Sequence, residues 1–407
     1  MTTATSTTRP KDRKQQIARA ASLLFQNRGY HAVSMADIAA EVGITSGALY
    51  WHFGSKEELL FHSVVVGLDR LDELMASATD LDDYLRASGE LALHRRGLAS
   101  LWLREARHLP DDRRLVLRRR LVTIAEQLVS LLRPERPDLS EEDAEFLVWT
   151  LLAVFASFGV HRITLSQADY LEVHFDLARV VVDCRLETPA VIAHAPSGTE
   201  RVAFDVELPR RERLIAEATR LFGRRGFNSV SMAEIGAAAG ITGSTIYKHF
   251  ASKQDLLSAV LGRGNERLQA GMAQAMASGA NPAEVLEELL VSQVDFALSQ
   301  RHLLEILISE RAELPEKQRR SIELAQRQYG EVWLKLVGAV RPDLEAPVVK
   351  IVTDTVFSII NNLVRTRQVA RRPDLRDRIL EVTTAVLDFP LSGTLGGAEP
   401  DGATQRV

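Results

Sequence analysis

Residues 34–60 read SMADIAAEVGITSGALYWHFGSKEELL, and residues 231–257 read SMAEIGAAAGITGSTIYKHFASKQDLL. The two stretches belong to a longer repeat at an offset of 197 residues, in which 22 of the 52 positions from Arg13 onward are identical. Unrelated helices do not share so many residues, so one structural unit is present twice. A second repeat, REARHLP against SERAELP, lies at an offset of 205 residues and shows that the duplication extends further.

Each copy contains the start and stop signals of three short helices. In the first copy, apolar residues at helical spacing run from Ile17 to Phe25, and Gly29 favours a left-handed cap that ends this helix. A second helix is predicted to start at a capping box, which occurs in both copies as Ser34 with Asp37 and as Ser231 with Glu234. Gly43 ends it after about two turns, and Thr45 can cap a third helix at once. The sequence therefore predicts a helix-turn-helix (HTH) unit in each copy.

The buried side of these units is kept in both copies, whereas the exposed side of the third helix varies. The residues predicted to pack the three helices are Ile38, Val42, Ile44, Leu49 and Phe53 in the first copy, and Ile235, Ala239, Ile241, Ile246 and Phe250 in the second. Small residues begin the exposed side of each third helix, and they let a helix backbone approach base edges in the major groove of DNA, which is about 12 Å wide. The third helix is therefore the predicted reading element.

The pattern G-I-T-x-x-x-(L/I)-Y-x-H-F-x-S-K-x-x-L-L resembles the DNA-binding domain of the TetR/AcrR family of transcriptional regulators, and this chain contains it twice. The resemblance implies that bases are faced by Thr45, Ser46, Gly47, Ala48 and Trp51, and in the second copy by Thr242, Gly243, Ser244, Thr245 and Lys248. It implies that phosphates are held by Tyr50, His52 and Lys56, and by Tyr247, His249 and Lys253. Two alternatives remain open at this point, namely that the tyrosines are core aromatics and that the histidines are ordinary surface residues.

The distribution of charge favours two contacts with nucleic acid, although the whole chain has a formal net charge of −4. Residues 9–62 carry seven Lys and Arg against five Asp and Glu, and residues 208–262 carry eight against four. Only the contacting face meets phosphate, so the charge of each segment matters more than the average. Both HTH units are therefore basic, while the remainder of the chain is acidic.

The fold class predicted for all 407 residues is all-α, with two tandem TetR-like modules. The predicted domains are a first HTH domain at 10–65, a first helical regulatory domain at 66–187, a linker at 188–208, a second HTH domain at 209–262, a second regulatory domain at 263–389 and a disordered tail at 390–407. Long apolar segments close each module, and in the family such helices pair two subunits. The resemblance thus implies an intramolecular pseudo-dimer, with a dimer of chains also open.

Aromatic and amide side chains in the regulatory domains are candidates for an effector cavity. They are Trp102, Trp149, Phe155 and Phe158 in the first module, and Phe296, Trp333, Phe357 and Asn361 in the second. An ordinary helix-bundle core explains the aromatic residues equally well, and Asn361 is the most pointed polar exception. The tandem form resembles two-module family members that control lipid-import operons, which implies a lipid, a sterol or an acyl-CoA as effector.

The predicted function is a sequence-specific repressor that reads two unlike half-sites in double-stranded DNA and is released by a small apolar effector. The alternative is an adaptor or architectural protein that binds DNA without any effector. The sequence shows no HExxH, G-x-S-x-G or Walker pattern and a single cysteine, Cys184, so neither an enzyme nor a metal or other cofactor is expected. No run approaches the ~18 apolar residues of a membrane span, and a cytoplasmic protein is expected.

Overall fold

The computed structural model describes residues 10–94, 101, 105–158, 165–187, 208–241 and 243–390, and every regular element within these ranges is helical. The all-α prediction is therefore confirmed for this part of the chain. Trp102, Thr242, nearly all of the predicted linker and the tail beyond 390 lie outside the described residues. The described residues divide into two compact units, one that runs to Val182 and includes Phe389 and one that comprises Asp183–Asp388, and each unit is described by itself.

The first module consists of eight α-helices and a short 3-10 helix at Ala106–His108 among its described residues. The α-helices are α1 (Pro10–Arg28), α2 (Met35–Glu41), α3 (Ser46–His52), α4 (Lys56–Ser77), α5 (Leu81–His94), α6 (Asp111–Leu132), α7 (Glu141–Ser157) and α8 (Gln167–Asp183). Helices α1 to α3 form the HTH domain, and α4 connects it to the regulatory domain by packing against both α1 and α6.

The second module repeats this order with a change in its HTH domain, and it contains one further helix, at Arg301–Ser309, whose counterpart in the first module lies outside the described residues. Its α-helices are α9 (Arg210–Arg225), α10 (Met232–Ala238), α11 (Lys253–Ser278), α12 (Pro282–Ser299), α13 (Arg301–Ser309), α14 (Glu316–Val340), α15 (Ala346–Leu363) and α16 (Leu375–Leu387). Two 3-10 helices lie at Gly243–Lys248 and Arg311–Glu313. The third HTH element is thus α-helical in the first module and 3-10 in the second, where an α-helix was expected.

The starts of the HTH helices follow the predicted capping chemistry. Ser34 accepts a hydrogen bond from the backbone of Asp37 while the Asp37 carboxylate bonds back to Ser34, and Ser231 with Glu234 forms the same box. Gly29 closes α1 at a φ of +82°, a conformation that costs glycine little and other residues more. These backbone groups are satisfied locally, which is why the helix starts could be read from the sequence alone.

The weaker helix in the second module has a local cause. Positions 245 and 246 are Thr and Ile, two successive β-branched residues, whereas positions 48 and 49 are Ala and Leu. Branching at Cβ restricts χ1 and lowers helix propensity by several tenths of a kcal/mol per residue, while Ala and Leu are among the best helix formers. The tighter 3-10 form therefore replaces the α-helix at Gly243–Lys248.

The core of the first HTH domain is continuous with that of its regulatory domain. Ile17, Phe25, Ile38, Leu49 and Phe53 are all buried and belong to one cluster. The same cluster includes residues beyond the HTH domain, namely Leu101, Ala106, Leu109, Leu117 and Ile124. Because packed side chains move together, the orientation of the HTH domain is mechanically tied to the helices behind it.

The paired helices predicted at the end of each module are present. In the first module, His174 of α8 lies against Phe158 at the end of α7, with ring centroids 3.7 Å apart. In the second module, α15 packs along α16. Each pair buries a long apolar stripe, as the sequence pattern indicated.

Candidate DNA-binding site

The reading helix of the first HTH domain, α3, is anchored on one side and exposed on the other. Thr45 caps it by accepting a hydrogen bond from the backbone nitrogen of Ala48 at 3.2 Å. Leu49 and Phe53 are fully buried beneath it. Tyr50 is 53% exposed and Trp51 is 91% exposed, so large aromatic surface points into solvent. The alternative that Tyr50 is a core aromatic does not hold.

The second HTH domain presents a different surface on the same frame. Ile246 and Phe250 are buried in the places of Leu49 and Phe53. Tyr247 is 57% exposed and Lys248 is also exposed, so Tyr247 is not a core residue either. The backbone of Gly243 and Ser244 lies in the 3-10 helix. The Ser244 side chain and all of Thr242 lie outside the described part of the chain. His52 and His249 are half-buried, and their phosphate role remains a prediction.

The lysines expected to hold phosphate have a structural role as well. The Lys253 ammonium donates hydrogen bonds to the backbone oxygens of Phe227 and Val230, each at 2.9 Å, and lies 4.2 Å from the Phe227 ring centroid. Lys56 takes the same position over the Tyr30 ring at 4.2 Å. Burial lowers the pKa of both ammonium groups. Since an ammonium has three donors, a phosphate contact is compatible with this role and remains a prediction.

A groove of about 500 Å³ lies beside the 3-10 helix at Gly243–Lys248. It is lined by two arginines that were not predicted as site residues from the sequence. Arg210 and Arg213, on the first turn of α9, line it together with Gly240 and Thr245. Guanidinium groups are well suited to phosphate because their planar donors match its oxygens. The signal was present in the sequence as the run RRER at 210–213. These arginines extend the basic surface next to the reading element.

A carboxylate from each regulatory domain is bonded to the backbone of its HTH domain. The Tyr30 nitrogen donates to Glu105 Oε2 at 2.9 Å, and the Phe227 nitrogen donates to Glu310 Oε1 at 3.1 Å. Tyr30 and Phe227 are equivalent in the first repeat, and Glu105 and Glu310 are equivalent in REARHLP and SERAELP. We call this contact the domain junction. This contact was not predicted from the sequence, although a Glu repeated at matching positions of both modules was a usable signal.

Comparison with known sequences decides what these two HTH domains are. The profile of bacterial regulatory proteins of the tetR family matches residues 17–62 and again residues 214–260. The chain carries two TetR-family DNA-binding domains. The predicted tandem repeat of the DNA-binding domain is thus confirmed, and the chain is a DNA-binding regulator.

The relatives of this TetR-type chain are transcriptional regulators. The HTH-type transcriptional repressor KstR2 of Mycobacterium tuberculosis is 29% identical over 167 residues, which cover 39% of this chain and 82% of KstR2. The HTH-type transcriptional regulator TtgR of Pseudomonas putida is 36% identical over 73 residues, 18% of this chain and 34% of TtgR. The solved structure of the ketosteroid transcriptional regulator KstR2 matches with a TM-score of 0.41 at 24% identity, over 44% of this chain and 94% of that chain.

The junction of the first TetR module contains a histidine that burial keeps neutral. His108 stacks on Tyr30 with ring centroids 5.2 Å apart, and His31 lies edge-on to it at 4.4 Å. Burial, followed by the charges of Arg107, His31 and Lys56, lowers the pKa of His108 to about 3. The equivalent position in the second module is Glu313, which accepts a hydrogen bond from Asn228 at 3.0 Å. The two junctions therefore differ in their response to acid.

We expect acid to weaken the first module through His108. Its folded-state pKa of about 3 lies below the ordinary value of 6.5, so between these pH values the unfolded chain binds a proton that the folded chain does not. The free energy of unfolding should fall as pH drops below 6.5, by up to about 1.4 kcal/mol per pH unit from this residue. Denaturant unfolding of His108→Phe between pH 7.5 and 5 should show a shallower slope. His108→Gln should share that slope, and a slope equal to that of the unmodified protein would contradict the prediction.

Part of the predicted effector set lines a cavity in the first TetR regulatory domain. The cavity measures about 270 Å³, and its apolar wall is formed by Leu85, Phe155, Leu171 and Phe175. His174 lies in the wall, while Arg86, Glu90 and Glu172 are exposed beside it. Phe158 stacks on His174 behind the wall, and Trp149 is buried on α7 with its indole nitrogen 3.4 Å from Glu145 Oε1. The structure thus brings Phe155 and Phe158 to one place and leaves Trp149 nearer the start of α7.

In the second regulatory domain the predicted aromatic residues pack together near buried polar groups. Trp333 is fully buried and lies 5.0 Å from Phe357, measured between ring centroids. The Tyr329 hydroxyl donates to Gln293 Oε1 at 2.8 Å on the neighbouring helix α12, which also carries the buried Phe296. Asn361 lies one helical turn beyond Phe357, and its buried Oδ1 has no hydrogen-bond partner among the described residues. Buried amide oxygens are usually paired, so Asn361 remains the polar exception that the sequence indicated.

Among the described residues, no group of three or more His, Cys, Asp or Glu side chains could hold a metal ion. Within the same residues, no helix combines the length and the apolar character that crossing a membrane requires.

Proposed function

We propose that the protein is a transcriptional repressor whose two HTH domains read two unlike half-sites of one operator. The main observation behind this proposal is that the two HTH domains share the same pattern of buried residues but expose different side chains on their reading elements. Leu49 and Phe53 have buried counterparts in Ile246 and Phe250, whereas the exposed Trp51 is replaced by Lys248. A homodimer with identical domains prefers a palindrome, and unlike domains should prefer an asymmetric site. Repression is inferred from the relative KstR2, which is an HTH-type transcriptional repressor.

The proposal assigns different roles to the exposed side chains. Tyr50 and Tyr247 occupy the same place in both domains, so they suit phosphate contacts, which position a protein but carry no sequence information. The residues that differ between the domains suit base contacts. Arg210 and Arg213 add phosphate-binding capacity next to the second reading element. In this arrangement one chain supplies both reading elements of an operator, where the family normally uses two chains.

Loss of either tyrosine is expected to weaken operator binding at its own half-site. The test uses the DNA upstream of the gene itself, footprinted with the purified full chain at moderate salt and with stoichiometry determined by native mass spectrometry. Tyr50→Ala should remove protection from one half-site, Tyr247→Ala from the other, and each should lower affinity at least about tenfold, since a charge-assisted hydrogen bond and its packing are worth about 1.5–3 kcal/mol.

The matched control variants are Tyr50→Phe and Tyr247→Phe, which keep the ring and remove only the hydroxyl. They should lose less affinity than the alanine variants and keep the full footprint. One chain bound to two unlike half-sites would support the proposal. A perfect palindrome bound by two chains, with only one alanine variant impaired, would contradict it, as would a footprint that neither alanine variant changes.

We further propose that a small apolar effector releases the protein from DNA by binding in a regulatory domain. The cavity at Phe155 and Phe175 has an apolar wall and charged residues beside it, a combination typical of sites for amphipathic molecules. Its 270 Å³ is slightly below the roughly 300–1,000 Å³ of common ligand sites, so it suits a small molecule or one end of a longer one. In the second module, Asn361 Oδ1 could accept a hydrogen bond from a polar group of the effector.

The junction supplies the physical link between effector and DNA. Glu105 and Glu310 hold the backbone of the HTH domains, so a shift of the regulatory helices changes the spacing of the reading elements. Binding of effector and of DNA must then be coupled reciprocally. The footprinting experiment is therefore repeated with oleoyl-CoA and with cholesterol. Release by one of them, reduced in Phe155→Ala or Asn361→Ala, would locate the effector site, and no release by either would favour an effector-independent adaptor.

A further inference from the structure

The two reading elements hold one pair of side chains at equivalent positions with opposite chemistry. In α3 this pair is Ala48 and Trp51, and in the second HTH domain it is Thr245 and Lys248. Each pair is separated by three residues, so its members lie one above the other on the helix surface. The first pair is a methyl group beside an indole, and the second is a hydroxyl beside an ammonium. We call these the apolar pair and the polar pair.

The positions of these pairs follow from the buried anchors. In an α-helix each residue advances by about 100°, so Trp51 lies about 200° around the axis from the buried Leu49, on the opposite side of α3. In a 3-10 helix the step is about 120°, which places Lys248 about 240° from the buried Ile246 and in line with Thr245. Trp51 and Lys248 therefore face away from the protein, where a groove of DNA would lie, and the half-buried Ala48 and Thr245 lie beside them at the edge of the exposed face.

The exposure of Trp51 requires an explanation in terms of binding. At 91% exposure it is the most exposed large apolar side chain of the described residues, and it contacts water over almost its whole surface. Removing apolar surface from water is worth about 25 cal/mol per Å², so covering an indole on complex formation is strongly favourable. In the second HTH domain the same position is an ammonium, for which an apolar contact would be unfavourable. The two side chains cannot read the same base edge.

We propose that the first HTH domain reads thymine methyl groups through Ala48 and Trp51, and that the second reads guanine through Thr245 and Lys248. In the major groove, the thymine C5-methyl is the apolar group that apolar side chains recognise. Guanine offers two acceptors, O6 and N7, which suit a lysine donor. This inference rests on the proposed function, because it assumes that both elements enter the major groove. It adds a prediction of which half-site contains the T·A pair that is read and which contains the G·C pair.

The test needs no knowledge of the natural operator. A double-stranded library with about 30 random base pairs is selected for binding to the full chain, and the enriched sequences are compared between the unmodified protein, Trp51→Ala and Lys248→Ala. We expect the unmodified protein to enrich an asymmetric site with thymine at a fixed position in one half and guanine in the other. Trp51→Ala should relax only the thymine position, and Lys248→Ala only the guanine position.

Base analogues then test the chemistry directly in the selected site. Replacing the thymine by deoxyuridine removes only the methyl group, and it should weaken the unmodified protein about five- to tenfold while leaving Trp51→Ala unaffected. Replacing the guanine by 7-deazaguanine removes the N7 acceptor and should have the same effect through Lys248. The exchanged variant, Trp51→Lys with Lys248→Trp, should enrich a site in which the two halves have traded these bases.

The possible failures can be told apart. If no sequence is enriched, the proposed function itself fails. If a site is enriched but Trp51→Ala and Lys248→Ala weaken it equally for all sequences, the two side chains contact phosphates and the base assignment is overturned. A variant can also lose binding because it no longer folds, which the absence of a cooperative unfolding transition would show. The exchanged variant covers this case, because both of its positions keep a large side chain.

Discussion

Replacing Gly223 by Ala is expected to destabilise the second module by about 2 kcal/mol, since contacts with backbone atoms place the cost at the upper end of its usual range. A Cβ atom at this position would lie 2.7 Å from His302 Cβ, 2.8 Å from the His302 carbonyl oxygen and 2.9 Å from its Cα. These are backbone atoms or atoms fixed to the backbone, so α9 and α13 would have to move apart. Such overpacking costs about 1–3 kcal/mol or more, against a gain of about 0.5–1 kcal/mol from Ala in a helix.

The consequence reaches the DNA-binding surface because α9 belongs to the HTH domain and α13 to the regulatory domain. Gly223→Ala should therefore lower both the midpoint of denaturant unfolding and the affinity for the second half-site. The matched control is Gly330→Ala in α14, where a Cβ would meet nothing within 4 Å and where we expect stabilisation of about 0.5–1 kcal/mol. If both variants changed stability equally, the close approach of α9 and α13 would be refuted.

The position equivalent to Gly223 in the first module is Gln26, which carries a long, half-buried side chain. The segment of the first module that corresponds to His302 lies outside the described residues, so the close approach is described for the second module.

Removal of the Glu310 carboxylate is expected to have the second large effect, a loss of about 3 kcal/mol. Glu310 is only 2% exposed, and its Oε1 accepts the hydrogen bond of the Phe227 nitrogen. Its charge also helps to keep Lys253 protonated, against a burial effect that lowers the pKa of that lysine. Glu310→Ala would leave a buried N–H without its acceptor and the half-buried Lys253 ammonium with less compensating charge, and leaving a buried donor unsatisfied costs about 1–3 kcal/mol, or more where a charge is involved.

Two further variants are informative. One separates the contribution of the Glu310 charge from that of its hydrogen bond, and the other compares the junction of the second module with that of the first. Glu310→Gln keeps an acceptor oxygen and should lose less stability than Glu310→Ala. Glu105→Ala removes the equivalent carboxylate of the first module, which is more exposed and should cost less. Unfolding followed by fluorescence and binding to the second half-site are both measured. An effect of Glu310→Ala no larger than that of an exposed glutamate would contradict the role given to the junction.

The HTH domains could be predicted in detail because their signals are local. A serine and an acid three residues apart satisfy the first free backbone groups of α2 and α10, whatever the rest of the chain does. Apolar spacing likewise identified buried residues such as Leu49 and Phe250. The duplication made both readings stronger, since two diverged copies keep only what the fold needs. The exposure of Tyr50 and Tyr247 follows from the same periodicity.

The regulatory domains could be predicted only as helices. Apolar residues at helical spacing predict that a side chain is buried, but not whether it meets another side chain or a cavity. Phe155 proved to line a cavity, whereas Trp333 fills a core, and nothing in the spacing distinguishes them. The distinction depends on how several helices distant in sequence come together.

By itself, the sequence determined the duplication, the all-α fold, the two HTH frames and the unlike residues that they expose. The tertiary structure alone decided the contact of Gly223 with His302 and the junctions made by Glu105 and Glu310. The physical reason is distance along the chain. Caps and helical periodicity act within about four residues, whereas Tyr30 and Phe227 find their carboxylate partners 75 and 83 residues away, through packing that no local pattern encodes.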